Sequence, residues 1–326
     1  MTQLTTQVGT RFSLLPFALC LLPFALPSSA FAQPFAYVSH EKSNDVWVID
    51  TQTDEVVAKV AVGDRPRGLV ISADGKRVYA ANGNSNDISV IDAETNTVVE
   101  TFPVGIDPEG IDLSNDETRL FVVNENEGVM RIVELASKEV IATVQAGVEP
   151  ETVVISPDGR LAFVPNETSH DVTVVDTQTY EVVSSIKVGE NPRGVAFLPD
   201  GKTAYVSSER SHTVSVIDVE KLAVTETISM GERPVGISVL PDGSKVYVVH
   251  GRANDVRVID PTTNRVTATI PLGGTRCWWS ALTPDGKKLY ATMGRSDGLA
   301  VIDTTTDSLI KTIAVGSIPW GVAVTP

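Results

Sequence analysis

Two arginines and two glutamates share one register of this chain: Arg67, Glu109, Glu151 and Arg193, each 42 residues from the next. Gathered in one place, such groups can bind an ion, share a proton or close into a salt-bridged network. The register continues through Val235, Cys277 and Trp320, with Arg276 and Trp278 flanking the thiol. A cation beside a cysteine lowers the thiol pKa, and indoles offer a flat surface to a planar ligand. The candidate ligand site is therefore Arg67, Glu109, Glu151, Arg193, Arg276, Cys277, Trp278 and Trp320. Trp278 reads as replacing a small residue of the other repeats. The structural alternative is an Arg–Glu seal with Trp278 and Trp279 as core filler.

Other chemistry is thinner. The histidines His40, His170, His212 and His250 all read as solvated loop residues, with no i, i+4 pair and no cysteine partner. No metal site is assigned to them. The stretch Asn124–Glu127 lacks the ligand spacing of a calcium loop and reads as a turn. Nucleophile-elbow, zinc-protease, phosphate-loop and haem-attachment motifs are absent, so no catalytic residue is assigned.

The elements that position these residues follow from the repeat. Asp50, Asp92, Glu134, Asp176, Asp218, Asp260 and Asp303 are spaced by 42 residues five times and then by 43. A glycine series (Gly63, Gly105, Gly147, Gly189, Gly231, Gly273, Gly316) and an aromatic series from Tyr37 to Tyr290 keep the same period. Each unit predicts four short strands: 194–198 as strand a, 203–207 as b, 214–217 as c and 224–229 as d. Valine supplies 48 of the 326 residues, which suits strands rather than helices. A four-stranded unit of this length is a propeller blade. The fold class is all-β: a seven-bladed β-propeller of four-stranded antiparallel blades over 34–326. The chain opens on a strand b and ends on a strand a, so the last blade is closed by pairing 321–324 with 35–39. The seven carboxylates ending strand c recur around the disc and cannot converge; each reads as a bond to the following turn.

Residues 1–32 read as a cleaved signal peptide: Arg11, an apolar run over 12–26, and a small-residue site at Ala30-Phe31-Ala32. The mature chain is then exported with no membrane span. The full sequence's formal charge of −15 argues against nucleic acid as a partner. Thirteen acids belong to repeated turns, however, so the acidity weighs less against a small anionic or aromatic ligand.

The unit Val78–Asn82, Ser89–Asp92 and Thr97–Val99 resembles the YVTN-type β-propeller family over essentially all of 34–326. Ala36–Lys42, Arg65–Gly68, Asp107–Gly110, Arg276 with Trp278, and Pro319–Val324 resemble the PQQ-dependent catabolism-associated β-propeller proteins. That resemblance implies a periplasmic, non-catalytic binding or assembly accessory of quinoprotein alcohol oxidation. The implied partner is a periplasmic quinoprotein dehydrogenase or an associated cytochrome. It brings no established catalytic residues. No cofactor is assigned as bound, but PQQ, a flat anion, is a candidate ligand for Trp278 or Trp320 with Arg67, Arg193 or Arg276. The chain departs from the pattern at Cys277, Trp279, Thr152 and the missing glycine after Asp116. Two alternatives stand beside this reading. One is a lactonase-type hydrolase with Glu109 or Glu151 as general base; the other is a single-stranded DNA-binding propeller.

Overall fold

The computed structural model describes residues 1–5, 9 and 34–326, and the propeller unit runs from Gln33 to Pro326. The expected signal peptide lies outside the described residues, apart from 1–5 and 9, which carry no helix or strand. Among the described residues no helix is long and apolar enough to cross a membrane.

Among the described residues the strands form seven antiparallel sheets of four. The best-patterned unit has strand a at Pro192–Phe197, b at Thr203–Ser208, c at Thr213–Asp218 and d at Ala223–Ser229. Strands b and c are buried on both faces, because each blade is packed between two others; strand d is mostly exposed at the rim, with Ile228 its one buried residue. The blades are numbered here by their strand a, from Pro66–Ile71 in blade 1 to Pro319–Val324 in blade 7.

Blade 7 is built from both ends of the chain, as the periodicity predicts. Pro319–Val324 pairs with Phe35–His40, which continues into Asp45–Asp50 and Glu55–Ala61. The seam is bonded beyond the ladder. The Phe35 amide donates to Thr325 Oγ1 at 2.8 Å, and the Gly321 amide to Ser39 Oγ at 3.0 Å.

The strand-c carboxylates do turn chemistry. Asp92 accepts the Glu94 and Thr95 amides at 3.1 and 2.9 Å, and Asp176 accepts those of Gln178 and Thr179, both at 2.9 Å. The aromatic series stitches blades together. Tyr205 donates to Asn264 at 2.9 Å, and Tyr290 to Asp54 at 2.6 Å, each in the c–d turn of the next blade.

Two local features position the inner face. First, a residue in the left-handed region precedes every strand a: Arg65, Asp107, Glu149, Asn191, Arg233, Arg276 and Ile318. Second, strand a gains one residue over strand b just after its first position: Pro66 pairs with Asn82, but Leu69 already pairs with Ala80. The same extra residue recurs in the other blades. Such a bulge bends a strand and re-aims a side chain. It turns the residue after the repeat proline toward the centre of the ring.

The glycine that follows lets neighbouring inner strands touch. A Cβ on Gly68 would lie 2.3 Å from the Glu109 carbonyl oxygen, and one on Gly321 would lie 2.4 Å from that of Arg67. Blade 3 breaks this rule with Thr152. Its regular strand a shrinks to Val154–Ile155, preceded by an isolated bridge from Pro150 to Asn166.

Candidate functional site

The register read from the sequence slips by one residue in blade 6. Cys277, not Arg276, takes the proline position, pairing with Met293 as Pro234 pairs with His250 and Pro319 with His40. The inserted residue is Gly273, which has open space around its Cα; Gly274 is the true repeat glycine, set against Met293 as Gly316 is set against His40. Trp278 therefore occupies the mouth position, and Trp279, not Trp278, stands where all the other blades except blade 3 carry glycine.

This corrects the reading of the thiol. Cys277 is 0% exposed and packs with Leu240, Val249 and Met293 in a blade core. Burial pushes its pKa up to about 12, with Asp255 adding to the rise. The neighbouring Arg276 does not activate it, so Cys277 leaves the candidate site.

The other seven candidates do converge. Arg67 pairs with Glu109, and Arg193 with Glu151 at 2.6 Å. The Arg276 guanidinium lies 4.0 Å from the Trp278 ring centre, Arg193 lies 5.8 Å from it, and Arg67 lies 5.5 Å from that of Trp320. The two indoles are 6.5 Å apart and tilted by 31°. Basic and aromatic arcs are thus interleaved rather than separate.

A second ring of acids, which the sequence reading missed, completes the network. Glu41, Glu125, Glu167 and Glu209 each follow the last residue of a strand b, where Gly83, Gly251 and Gly294 stand in the remaining blades. Arg193 reaches three carboxylates: Glu151, Glu167 at 2.6 Å and Glu209 at 2.7 Å. Arg67 lies 3.7 Å from both Glu41 and Glu125. The same 42-residue spacing that revealed the first ring carries the second, so it was there to be found.

Glu109 is 0% exposed and Glu151 1%. Burial raises the pKa of both, although each faces an arginine; for Glu151 the result is about 8. The outer-ring acid of the same blade, Glu125 or Glu167, adds to the rise in each, and those two are held below the usual range. Blades 2 and 3 therefore each bring two acids together, and in both the inner member holds its proton more tightly than the outer one. Burial works against the charge of Arg193, but Glu151, Glu209 and Glu167 together hold its pKa above the ordinary value.

Asp107, Glu109 and Glu125 offer three oxygens within 4.8 Å of one another, a spacing that suits a cation. Arg65 and Arg67 both reach this trio, so two guanidiniums already supply the positive charge there. Glu125–Glu127 forms a single 3-10 turn closed by Gly128 in the left-handed region, as the sequence suggests.

The histidines need correcting. His40 and His250 are not solvated: both are fully buried at strand ends, with Nδ1 at 2.9 Å from Asp45 and 3.0 Å from Asp255. They stand where Asn82 and Asn166 bond Asp87 and Asp171 at 2.7 and 2.9 Å. Burial lowers the pKa of His40 while Asp45 opposes it. His170 and His212 sit in left-handed loop positions, each with Nδ1 facing a backbone amide, of Asn191 and Arg233.

Comparison with known proteins agrees with this architecture. Residues 35–158 match the profile of YNCE-like beta-propellers, 177–324 that of the 7-bladed lactonase beta-propeller, and 112–238 that of the cytochrome D1 heme domain. No curated protein matches the chain. Among solved structures, hydrazine synthase of Kuenenia stuttgartiensis is 22% identical, covering 83% of this chain and 92% of that one, with a TM-score of 0.75. A putative 6-phosphogluconolactonase from Bacteroides uniformis is 21% identical over 90% and 100%, with a TM-score of 0.76. The periplasmic gluconolactonase of Pseudomonas aeruginosa is 20% identical over 90% and 99%, also at 0.76. At these identities the likeness is one of fold, and profile matches, sheet order and terminal closure agree: the chain is a seven-bladed β-propeller protein.

Proposed function

We propose that the protein is a non-catalytic binding or assembly accessory of PQQ-dependent alcohol oxidation, acting in the periplasm through the charged and aromatic mouth. The observation that carries the passive half of this reading is the burial of Glu109 and Glu151. Both are closed off by arginines and outer-ring glutamates, so neither is open to a substrate. A general base must come within hydrogen-bond reach of the proton that it removes. The quinoprotein half rests on the resemblance of 36–42, 65–68, 107–110 and 319–324, and the periplasmic location on the expected signal peptide. PQQ would lie against the Trp278 indole, because Trp320 is only 4% exposed, so titrating it into the protein while following tryptophan fluorescence tests the reading. A saturable change is expected; a flat titration removes PQQ as the ligand.

Lactone hydrolysis is the second reading, favoured by the lactonase profile over 177–324. That match leaves Glu109 and Glu151 outside its span. A lactone screen giving equal rates in the parent and in Glu151→Gln rejects the assigned base.

A further inference from the structure

In blades 5 and 6 the second acidic ring fails, and the arginines around the gap are left over. The outer-ring positions are Gly251 and Gly294, where blades 2, 3 and 4 carry Glu125, Glu167 and Glu209. Around the gap lies an open cavity of about 420 Å³ lined by Arg233, Arg252, Arg276, Arg295, Asn254 and Thr275. Its charge is not balanced from within. Arg233 and Arg276 share one oxygen, Glu209 Oε1, at 3.1 and 3.2 Å, while Arg193 takes the other at 2.7 Å. Among the described residues Arg252 pairs with no carboxylate but that of Glu232, and both of those side chains are more than half exposed. Arg295 has no carboxylate partner among the described residues; its backbone amide bonds Thr275 at 3.0 Å. Four guanidiniums thus face one shared buried carboxylate and one solvated one, in a chain of net charge −15.

The cavity is also pre-shaped. Arg276 holds a left-handed backbone (φ 58°), its amide donates to Asn254 Oδ1 at 3.1 Å, and its guanidinium is stacked 4.0 Å from the centre of Trp278. A stacked, anchored guanidinium loses little freedom when it binds a planar oxyanion, and its fork of N–H groups fits a carboxylate or phosphate in bidentate fashion. Burial, with Arg233 and Arg193 nearby, holds the Arg276 pKa below its ordinary value although Glu209 opposes the shift.

We propose that this cavity between blades 5 and 6 binds a small dianion, a dicarboxylate or a phosphate, gripped by Arg276 and Arg233 from the inner side and by Arg252 and Arg295 from the outer. The proposal shares the passive binding reading of the mouth but does not depend on PQQ or on any pathway. It is tested by calorimetric titration of the intact protein at low ionic strength with succinate, inorganic phosphate and acetate, beside the PQQ titration.

Saturable binding of succinate or phosphate, at least tenfold tighter than acetate, is expected, and the tighter of the two identifies the oxyanion. Arg252→Ala/Arg295→Ala should weaken it at least tenfold. Both side chains are outside the Glu209 network, so the fold is kept, which an unchanged melting temperature verifies. Lys76→Ala/Lys287→Ala removes two exposed cations from a–b turns and should leave affinity within twofold. No saturable binding, or equal affinity in the Arg252/Arg295 variant and its parent, overturns the site. Dianion binding with a flat PQQ titration upholds the cavity and sinks the PQQ reading; PQQ binding with no dianion binding does the reverse.

Discussion

A buried carboxyl group with an arginine beside it usually titrates low, yet Glu151 does not. Burial outweighs Arg193, and Glu167 competes for the same guanidinium, so the proton stays on Glu151 up to about pH 8. The unfolded chain releases that proton near pH 4.3. Between those values the folded state holds a proton that the unfolded state lacks, so stability falls as pH rises, by at most about 1.4 kcal/mol per pH unit for one such group. The protein is therefore expected to melt higher at pH 5.5 than at pH 8. Glu151→Gln fixes the neutral form and should flatten that slope; thermal melts of both proteins across pH 5–9 measure it, and identical slopes would reject the proton held on Glu151. None of this is legible in the 42-residue register alone. The register places Glu151 near Arg193, but the sign of its pKa shift depends on how much water the fold removes.

At the scale of the element, the strand-a bulge decides which side chains reach the ring centre. Its companion is a small residue, and the close approach of Gly68 to the Glu109 carbonyl shows why. Gly68→Ala must push two inner strands apart, at a cost of about 1–3 kcal/mol of overpacking. Denaturant midpoints measure that loss; an unchanged midpoint would mean the inner strands are not held at this spacing. Trp279 and Thr152 show how the rule is broken. Trp279 packs 5.2 Å from Trp320, whereas Thr152 shortens its own strand. The sequence shows both departures. It does not show which blade-6 residue takes which position, because a one-residue insertion can sit anywhere between two fixed points of the repeat. Pairing resolves it, placing the extra residue at Gly273, moving Cys277 into the core and setting Trp278 at the mouth.

The ring as a whole depends on its seam. Blade 7 takes its inner strand from Pro319–Val324 and its other three from the start of the propeller, so the closure is the longest-range pairing in the chain. A chain ending at Val315 loses that strand, exposes Phe35–His40 as an unpaired edge, and leaves Arg67 without Trp320. We expect its melting temperature to fall by more than roughly 10 °C, with loss of a single cooperative transition. Melting like the intact protein would show that the seam is dispensable.

By itself the sequence determined the number of blades, the four-strand unit, the terminal closure and the turn role of the strand-c acids. Each of these is local chemistry repeated at a constant period, and repetition makes a local signal legible. Only the tertiary structure decided that Cys277 is buried, that His40 and His250 do the work of asparagines, and that Glu109 and Glu151 are buried beside a second acidic ring. It alone left four arginines in blades 5 and 6 with too few partners. Those outcomes depend on distances between residues tens of positions apart and on the exclusion of water, and neither quantity is written in the spacing of a repeat.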